Sequence, residues 1–450
     1  MAKTKTVYVC RECDYQSAKP LGRCFQCKAW SSFVEQTHKP AAIATRSLAT
    51  SELPVALADI SLDTGGELRH LTGVGELDNV LGGGLVAGSL VLLGGDPGVG
   101  KSTLLLMALD AFAARGLPVL YVTGEESLRQ VRMRAERLGV RGTTMKLLST
   151  TDFPAIERAV IAEKPLVIVV DSVQTMAIPE VQAIPGSMTQ VREVAHRAMV
   201  LAKSHNVAIF LVGHITKSGQ LAGPKVLEHF VDTVLQFEGD GRSTLRILRT
   251  AKNRFGPAGE LGLFEMAESG LREVPDASAR LLSERRDDVP GTAVISTLEG
   301  SRPLLIEVQA LVGRPTPSTP GRTCVGVDRT RVQMLIAVLE KVGLSLHDRD
   351  VFVNAAGGVR LDETAADLGL IAAIASSLTE QAVRTDTLLF GEVGLVGEVR
   401  AVSHPITRLK EAARHGFSRV IAPASVAQDA PPGLQVIGVH TIREVLEHLF

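Results

Sequence analysis

Aromatic side chains are scarce in this sequence: 450 residues include one tryptophan and three tyrosines. That scarcity argues against stacking on nucleic-acid bases as a main binding mode, because such surfaces are built from aromatic platforms. A dominant charge is also missing. The 48 Lys and Arg stand against 49 Asp and Glu, a formal net charge of −1. Any contact with nucleic acid must therefore come from local patches. No apolar run approaches the ~18 residues of a membrane-crossing helix. The opening MAKTK leads into cysteines rather than an apolar signal core. The expectation is a cytoplasmic chain with no membrane partner. Hydrophobic residues at 45% and charged residues at 22% are ordinary for globular protein, and the length allows several domains.

Cysteine is nearly absent after residue 27. The first four of the five are Cys10, Cys13, Cys24 and Cys27, two CxxC pairs with ten residues between them. Each pair puts two sulfurs on one tight turn, and the intervening residues return the chain, so four thiolates can surround one Zn²⁺. A module of residues 1–35 has too little core to fold unaided, and the metal would supply its stability. Two disulfides or a redox CxxC are the alternatives; the lack of a secretion signal argues against disulfides. Lys3, Lys5, Arg11, Lys19, Arg23 and Lys28 outnumber Glu12, Asp14 and Glu35, a balance that permits docking to DNA or a partner without requiring it. Residues 36–56, rich in Ala, Thr, Ser and Pro, read as a linker.

The stretch around which the chain is organised is GGDPGVGKST, residues 94–103. An apolar strand precedes it and an apolar helix follows, the setting of a Walker A motif. Gly95, Gly98 and Gly100 let successive backbone amides turn toward a phosphate, and the helix N-terminus adds to that field. Lys101 supplies a mobile cation for the β/γ oxygens and Ser102 a hydroxyl for Mg²⁺. The binding set is Gly95, Asp96, Pro97, Gly98, Val99, Gly100, Lys101, Ser102 and Thr103, and the implied ligand is ATP with Mg²⁺.

Apolar strands alternate with helical stretches over residues 57–273, the pattern of a parallel α/β sheet. The strand at 117–123 ends in GEES. Glu125 is the candidate base for the attacking water, with Glu126 the alternative; both acids could instead cap the next helix. Arg129, Arg132, Arg134 and Arg137 on that helix read as solvated charge. The apolar strand at 165–171 ends in Asp171, a Walker B carboxylate for the Mg²⁺ shell. Residues 176–188 read as an exposed loop. The strand at 207–212 leads to His214, either a sensor of the γ-phosphate or a structural histidine. Residues 216–224 read as a second, flexible loop.

The cysteine cluster, the Walker A motif, the GEES and GHITK segments and above all KNRFG at 252–256 make the chain resemble the RadA (Sms) family of bacterial DNA-repair proteins over essentially its whole length. The resemblance implies a RecA-like P-loop ATPase core behind a small zinc finger, working as a homohexameric ring. It implies a DNA-stimulated ATPase that moves along single-stranded DNA and extends branched recombination intermediates, in company with a RecA-type recombinase and other repair proteins. It makes the loops after Asp171 and His214 DNA-facing. Lys252 and Arg254, read from the sequence as cations on an exposed tip, would by the same resemblance reach a neighbour's nucleotide.

Residues 281–450, again α/β, resemble the proteolytic domain of the Lon family. That family uses a Ser–Lys dyad. Alignment puts Ala365 at the serine position and Ile406 at the lysine position, which implies a proteolytically silent scaffold. Cys324 reads as a small buried apolar residue. Two other classes share parts of the pattern. A KaiC-type ATPase would leave the cysteines and the Lon-like tail without a role, and the missing dyad argues against an ATP-dependent protease.

Overall fold

A computed structural model describes residues 5–10, 16–17, 19, 22–25, 30, 32–38, 69–214, 227–239, 244–314 and 320–450. The chain divides into two compact units, Met1–Glu273 and Val274–Phe450.

The first unit opens with three antiparallel strands, β1 (Lys5–Cys10), β2 (Gln16–Ser17) and β3 (Phe33–His38), in the order β2-β1-β3. Cys10 and Cys24 are buried; Cys13 and Cys27 lie outside the described residues. β3 continues to His38, so pairing with β1 carries the module three residues into the stretch read as linker. The rest of that linker lies outside the described residues.

Two short strands, β4 (Arg69–His70) and β5 (Leu85–Val86), pair with each other around α1 (Gly75–Val80). The chain then runs β6 (Leu90–Gly95), α2 (Lys101–Ala114), β7 (Val119–Thr123), α3 (Leu128–Arg137), β8 (Met145–Ser149), α4 (Phe153–Glu163), β9 (Val167–Asp171), α5 (Met188–His205) and β10 (Ala208–His214). β11 (Thr233–Glu238), β12 (Leu245–Asn253), β13 (Leu261–Ala267) and β14 (Gly270–Glu273) follow. Among the described residues these form one sheet, β14-β13-β12-β11-β6-β10-β9-β7-β8. From β8 to β11 it is parallel; β12 to β14 add an antiparallel extension.

Both faces of the parallel part are covered, which is why its strands read as unbroken apolar runs. Alternate residues feed opposite cores. Val91, Leu93, Tyr121, Val169 and Phe210 pack with Leu105 and Leu109 of α2. Leu90, Leu92, Leu120, Ile168 and Ile209 pack with Ile156 of α4 and Val194 and Ala198 of α5. Only the carboxyl ends of the central strands, where the apolar runs stop, carry convergent polar groups.

The 176–188 stretch is not one exposed loop. Met176 and Ile178 are fully buried, and Gln190 of α5 exchanges hydrogen bonds with the Ile178 backbone. Exposure begins at Pro179. The 216–224 loop lies outside the described residues.

The second unit builds a sheet from β15 (Thr292–Glu299), β16 (Arg302–Gly313), β17 (Arg322–Val325), β18 (Asp350–Ala355), β19 (Thr387–Leu389), β22 (Arg419–Pro423) and β23 (Gln435–Val439), in the order β17-β18-β16-β15-β19-β22-β23; β20 (Glu392–Val393) and β21 (Val399–Arg400) form a separate hairpin. Its helices are α6 (Ala277–Leu282), α7 (Arg329–Lys341), α8 (Asp367–Thr379), α9 (Pro405–Arg414) and α10 (Ile442–Glu447). α8 is buried from Asp367 to Ser376. Cys324 sits on the edge strand β17 and is half-buried rather than enclosed; what burial it has pushes its thiol up.

Candidate nucleotide site

The parallel register decides which residues meet. β6 and β10 pair so that His214 stands beside Gly95, and β7 and β9 so that Thr123 stands beside Asp171. Four strand ends thus lie on the edge where the phosphate loop leaves β6. His214 has its backbone there; its side chain lies outside the described atoms. The loop needs its glycines for distinct reasons. A Cβ on Gly95 would lie 2.4 Å from the Phe237 carbonyl oxygen, and Gly100 has φ of 117°, where an L side chain is strained.

Lys101 is buried, and its ammonium donates to the carbonyls of Gly95 (2.7 Å) and Asp96 (2.9 Å). Burial lowers its pKa, while Asp171, Asp96 and Glu125 act in the opposite sense. Ser102 Oγ donates to Asp171 Oδ2 at 2.6 Å. A hydroxyl and a buried carboxylate already in contact are the hard-oxygen set that suits Mg²⁺, so the residues fit the ion. The Asp171–Ser172 peptide is cis.

Glu125 is exposed at the end of β7 and accepts a hydrogen bond from Ser172 Oγ, directly after Asp171. Glu126 faces a different partner, the Arg134 guanidinium. Neither acid caps α3. Ser127 does so, in a capping box with Gln130. Arg134 therefore departs from the solvated stripe expected of its helix, because its length lets it reach back to Glu126.

Two contributors at this edge, and one acid at the opposite edge of the sheet, escaped the sequence reading. Tyr121 OH donates to Asp171 Oδ2 at 2.6 Å. Ser172 holds Glu125. Buried Asp232 accepts from Leu90 N (3.0 Å) and Lys203 Nζ (2.9 Å) on one oxygen and from Arg254 on the other (3.3 Å). A signal existed for Tyr121. It is a phenol in a fully apolar strand, and a buried phenol needs a partner.

Lys252 and Arg254 do not join this edge. Val234 pairs with Lys252 and Thr233 with Asn253, while Thr233 also pairs with Val91, the second residue of β6. Asn253 is thus level with Val91, about 13 Å along the strand from Gly95 at 3.3 Å per residue. Arg254 is half-exposed. Lys252 is not on an exposed tip. Its ammonium donates to the carbonyls of Glu228 and Val231, and its pKa is lowered by burial and then by Arg254. In the second unit Ala365 is fully buried and Ile406 is exposed.

Comparison with known proteins bears on the family of the chain. Residues 8–35 match a rubredoxin metal binding domain, residues 73–220 an AAA domain, and residues 306–426 subunit ChlI of Mg-chelatase. DNA repair protein RadA of Halalkalibacterium halodurans is 47% identical over 452 residues, covering 99% of both chains. The Pseudomonas aeruginosa protein of that name is 48% identical over 456 residues, covering all of both chains. That of Bacillus subtilis is 45% identical over 454 residues, covering 99% of each. A crystal structure of the KaiC-like protein PH0186 from Pyrococcus horikoshii aligns with 46% of this chain and 99% of its own, at 21% identity and a TM-score of 0.40. Among the described residues no helix is long and apolar enough to cross a membrane. With a zinc-ribbon module, a RecA-like P-loop core and a C-terminal α/β unit in one chain, and near-half identity over its full length, this protein belongs to the RadA family of DNA repair proteins.

Proposed function

We propose that the chain is a DNA-dependent ATPase of recombination and repair. It assembles as a homohexameric ring, translocates on single-stranded DNA and promotes branch migration of branched intermediates, alongside a RecA-type recombinase. The observation that carries the ATPase part is the convergence of Lys101, Ser102, Asp171 and Glu125 on one sheet edge. Loop amides and Lys101 bind the phosphates, Ser102 and Asp171 hold Mg²⁺, and Glu125 takes the proton of the attacking water. Bound Mg²⁺ supplies charge neutralisation at the β/γ oxygens.

Ring assembly accounts for the position of Arg254. It stands at the far end of the sheet from its own phosphate loop, half-exposed and paired with Asp232. A cation so placed serves a neighbour's nucleotide, where a finger is worth ~10³-fold or more in rate. Lys252, more enclosed, supports the same tip. The finger holds Zn²⁺ through Cys10, Cys13, Cys24 and Cys27; metal analysis of protein purified without chelator returns about one zinc per chain, and Cys24→Ser loses it. With Ala365 and Ile406 at the dyad positions, the second unit is a scaffold without peptidase activity, and casein incubated with the full chain and ATP stays intact.

The deciding measurement is ATP hydrolysis with and without single-stranded DNA. Turnover indifferent to DNA would remove the motor reading. Arg254→Ala chains should bind ATP and hydrolyse it poorly, and mixing them with Lys101→Ala chains should restore some turnover. Normal hydrolysis by Arg254→Ala alone would reject the trans role.

A further inference from the structure

The Walker B carboxylate has a second donor that the ATPase motifs leave unassigned. Tyr121 lies on β7 in register with Val169, two residues short of the Thr123–Asp171 pair. Its ring packs in the core on the α2 side of the sheet. Two residues of strand advance about 6.6 Å, roughly the reach of a tyrosine side chain, so the hydroxyl arrives under the carboxylate. There it shares Asp171 Oδ2 with Ser102 Oγ, each at 2.6 Å.

We propose that Tyr121 is a positioning residue for the Mg²⁺–nucleotide complex. By donating to Oδ2 from below, it fixes the rotation of the Asp171 carboxylate and leaves Oδ1 to face the metal's hydration shell. This rests on the ATPase reading given above. Ser102 can keep its proton on Oδ2 while its lone pairs turn to the ion, but that hydroxyl is a single rotor in the first turn of α2. Tyr121 is anchored by a buried ring in mid-sheet, and its hydroxyl cannot leave without moving the strand. A neutral donor suits the task. It orients the carboxylate without cancelling the charge that the ion requires.

Tyr121→Phe keeps the ring and removes the donor. In the full-length chain, binding of a fluorescent ATP analogue is measured in EDTA and across a Mg²⁺ titration. Binding in EDTA should match the parent within about twofold, while the Mg²⁺ needed for half-maximal tight binding rises about tenfold, as expected for losing one bond to a charged group. A Mg²⁺ requirement equal to the parent's overturns the proposal. So does an equal fall in EDTA binding together with the thermal midpoint, for then the hydroxyl only holds the fold. A second measurement needs no mutation. The sequence has three tyrosines, so 3-fluorotyrosine incorporation gives a short ¹⁹F spectrum. The Tyr121 signal should move when Mg²⁺ is added to nucleotide-saturated protein, and an unmoved signal counts against the role. If the parent itself binds nucleotide without regard to Mg²⁺, the ATPase reading fails and this inference with it; a Mg²⁺-dependent parent and an indifferent variant overturn the role of Tyr121 alone.

Discussion

Asp171 in the first unit and Asp367 in the second are buried acids beside an apolar strand or helix, satisfied in opposite ways. Asp171 accepts from two neutral hydroxyls, Ser102 and Tyr121. Asp367 is gripped by both arms of the Arg331 guanidinium and by the Val393 amide. Even so, burial dominates at Asp367 and raises its pKa. A neighbour of the same kind, Glu363, pairs with the fully buried Arg408, which also donates to the carbonyls of Ser296 and Ser403. Hydroxyl donors orient a carboxylate and leave its charge available. A guanidinium consumes that charge. The first arrangement can hold a cation that comes and goes with nucleotide, whereas the second closes a structure.

If that contrast is right, substitutions at the sheet edge of the first unit remove turnover and spare stability. The largest expected effect is at Lys101. Lys101→Ala should abolish hydrolysis, a loss of ~10³-fold or more because the cation acts on charge that develops in the transition state. Glu125→Gln should retain nucleotide binding and lose ~10²–10⁴-fold in turnover. Steady-state hydrolysis alongside equilibrium binding separates the two. If Glu125→Gln turns over normally, the base is elsewhere, and Glu126 would first have to leave Arg134. Asp171→Asn sharpens the comparison further. The amide keeps an acceptor for the two hydroxyls and removes a buried charge, so unfolding free energy should hold within ~1 kcal/mol or rise as activity is lost.

The second unit should answer in the reverse sense. Arg408→Met leaves the half-buried Glu363 without its ion pair and the Ser296 carbonyl facing a thioether. Breaking a buried pair by removing one partner costs about 3–5 kcal/mol. Denaturant unfolding followed by a probe in this unit reads that loss directly. A loss under ~1 kcal/mol would mean that water replaces the guanidinium and that the interior is not closed. The double change Arg408→Met with Glu363→Gln should recover part of the loss, since no uncompensated charge then remains.

How much of this was legible in the sequence follows from what periodicity can carry. Strands buried on both faces become apolar runs, and their ends become the first polar residue. That made Asp171 and His214 readable as strand tips, and the structure ends β9 and β10 on those residues, while β6 runs two residues past the apolar run into the loop, to Gly95. The helix Pro405–Arg414 opens on a proline, a residue suited to the first turn because its missing N–H has no partner there. Cross-strand register is not written in any one segment. The Tyr121–Asp171 bond, the enclosure of Lys252 by two carbonyls and the Arg408–Glu363 pair each join residues 20 or more positions apart. Arg134 failed for a related reason: helical spacing put it on a charged face, but its side chain spans two turns back to Glu126.

The smallest effect expected concerns Asp386, a partly exposed acid of the second unit and so the counterpart of buried Asp367. Hydrogen bonds from Arg384 and then Ser418 lower its pKa to about 2. A carboxyl depressed in the folded state binds fewer protons there than in the unfolded chain, so it contributes stability above the unfolded value near pH 4 and loses it as pH falls toward 2. Asp367, whose pKa burial raises, has the opposite slope: its contribution weakens as pH rises through the window above pH 4. Because Asp386 and Arg384 are solvated, the pair is worth under ~1 kcal/mol at neutral pH. Asp386→Asn should therefore lower the unfolding free energy slightly at pH 7, by an amount that shrinks to nothing near pH 2. Salt at 1 M should reduce the difference as well, since the Debye length then falls to ~3 Å. A penalty above ~2 kcal/mol that persists at pH 2 and in high salt would mean that Asp386 acts through the neutral bond from Ser418, and the division between solvated and closed ion pairs in this unit would have to be redrawn.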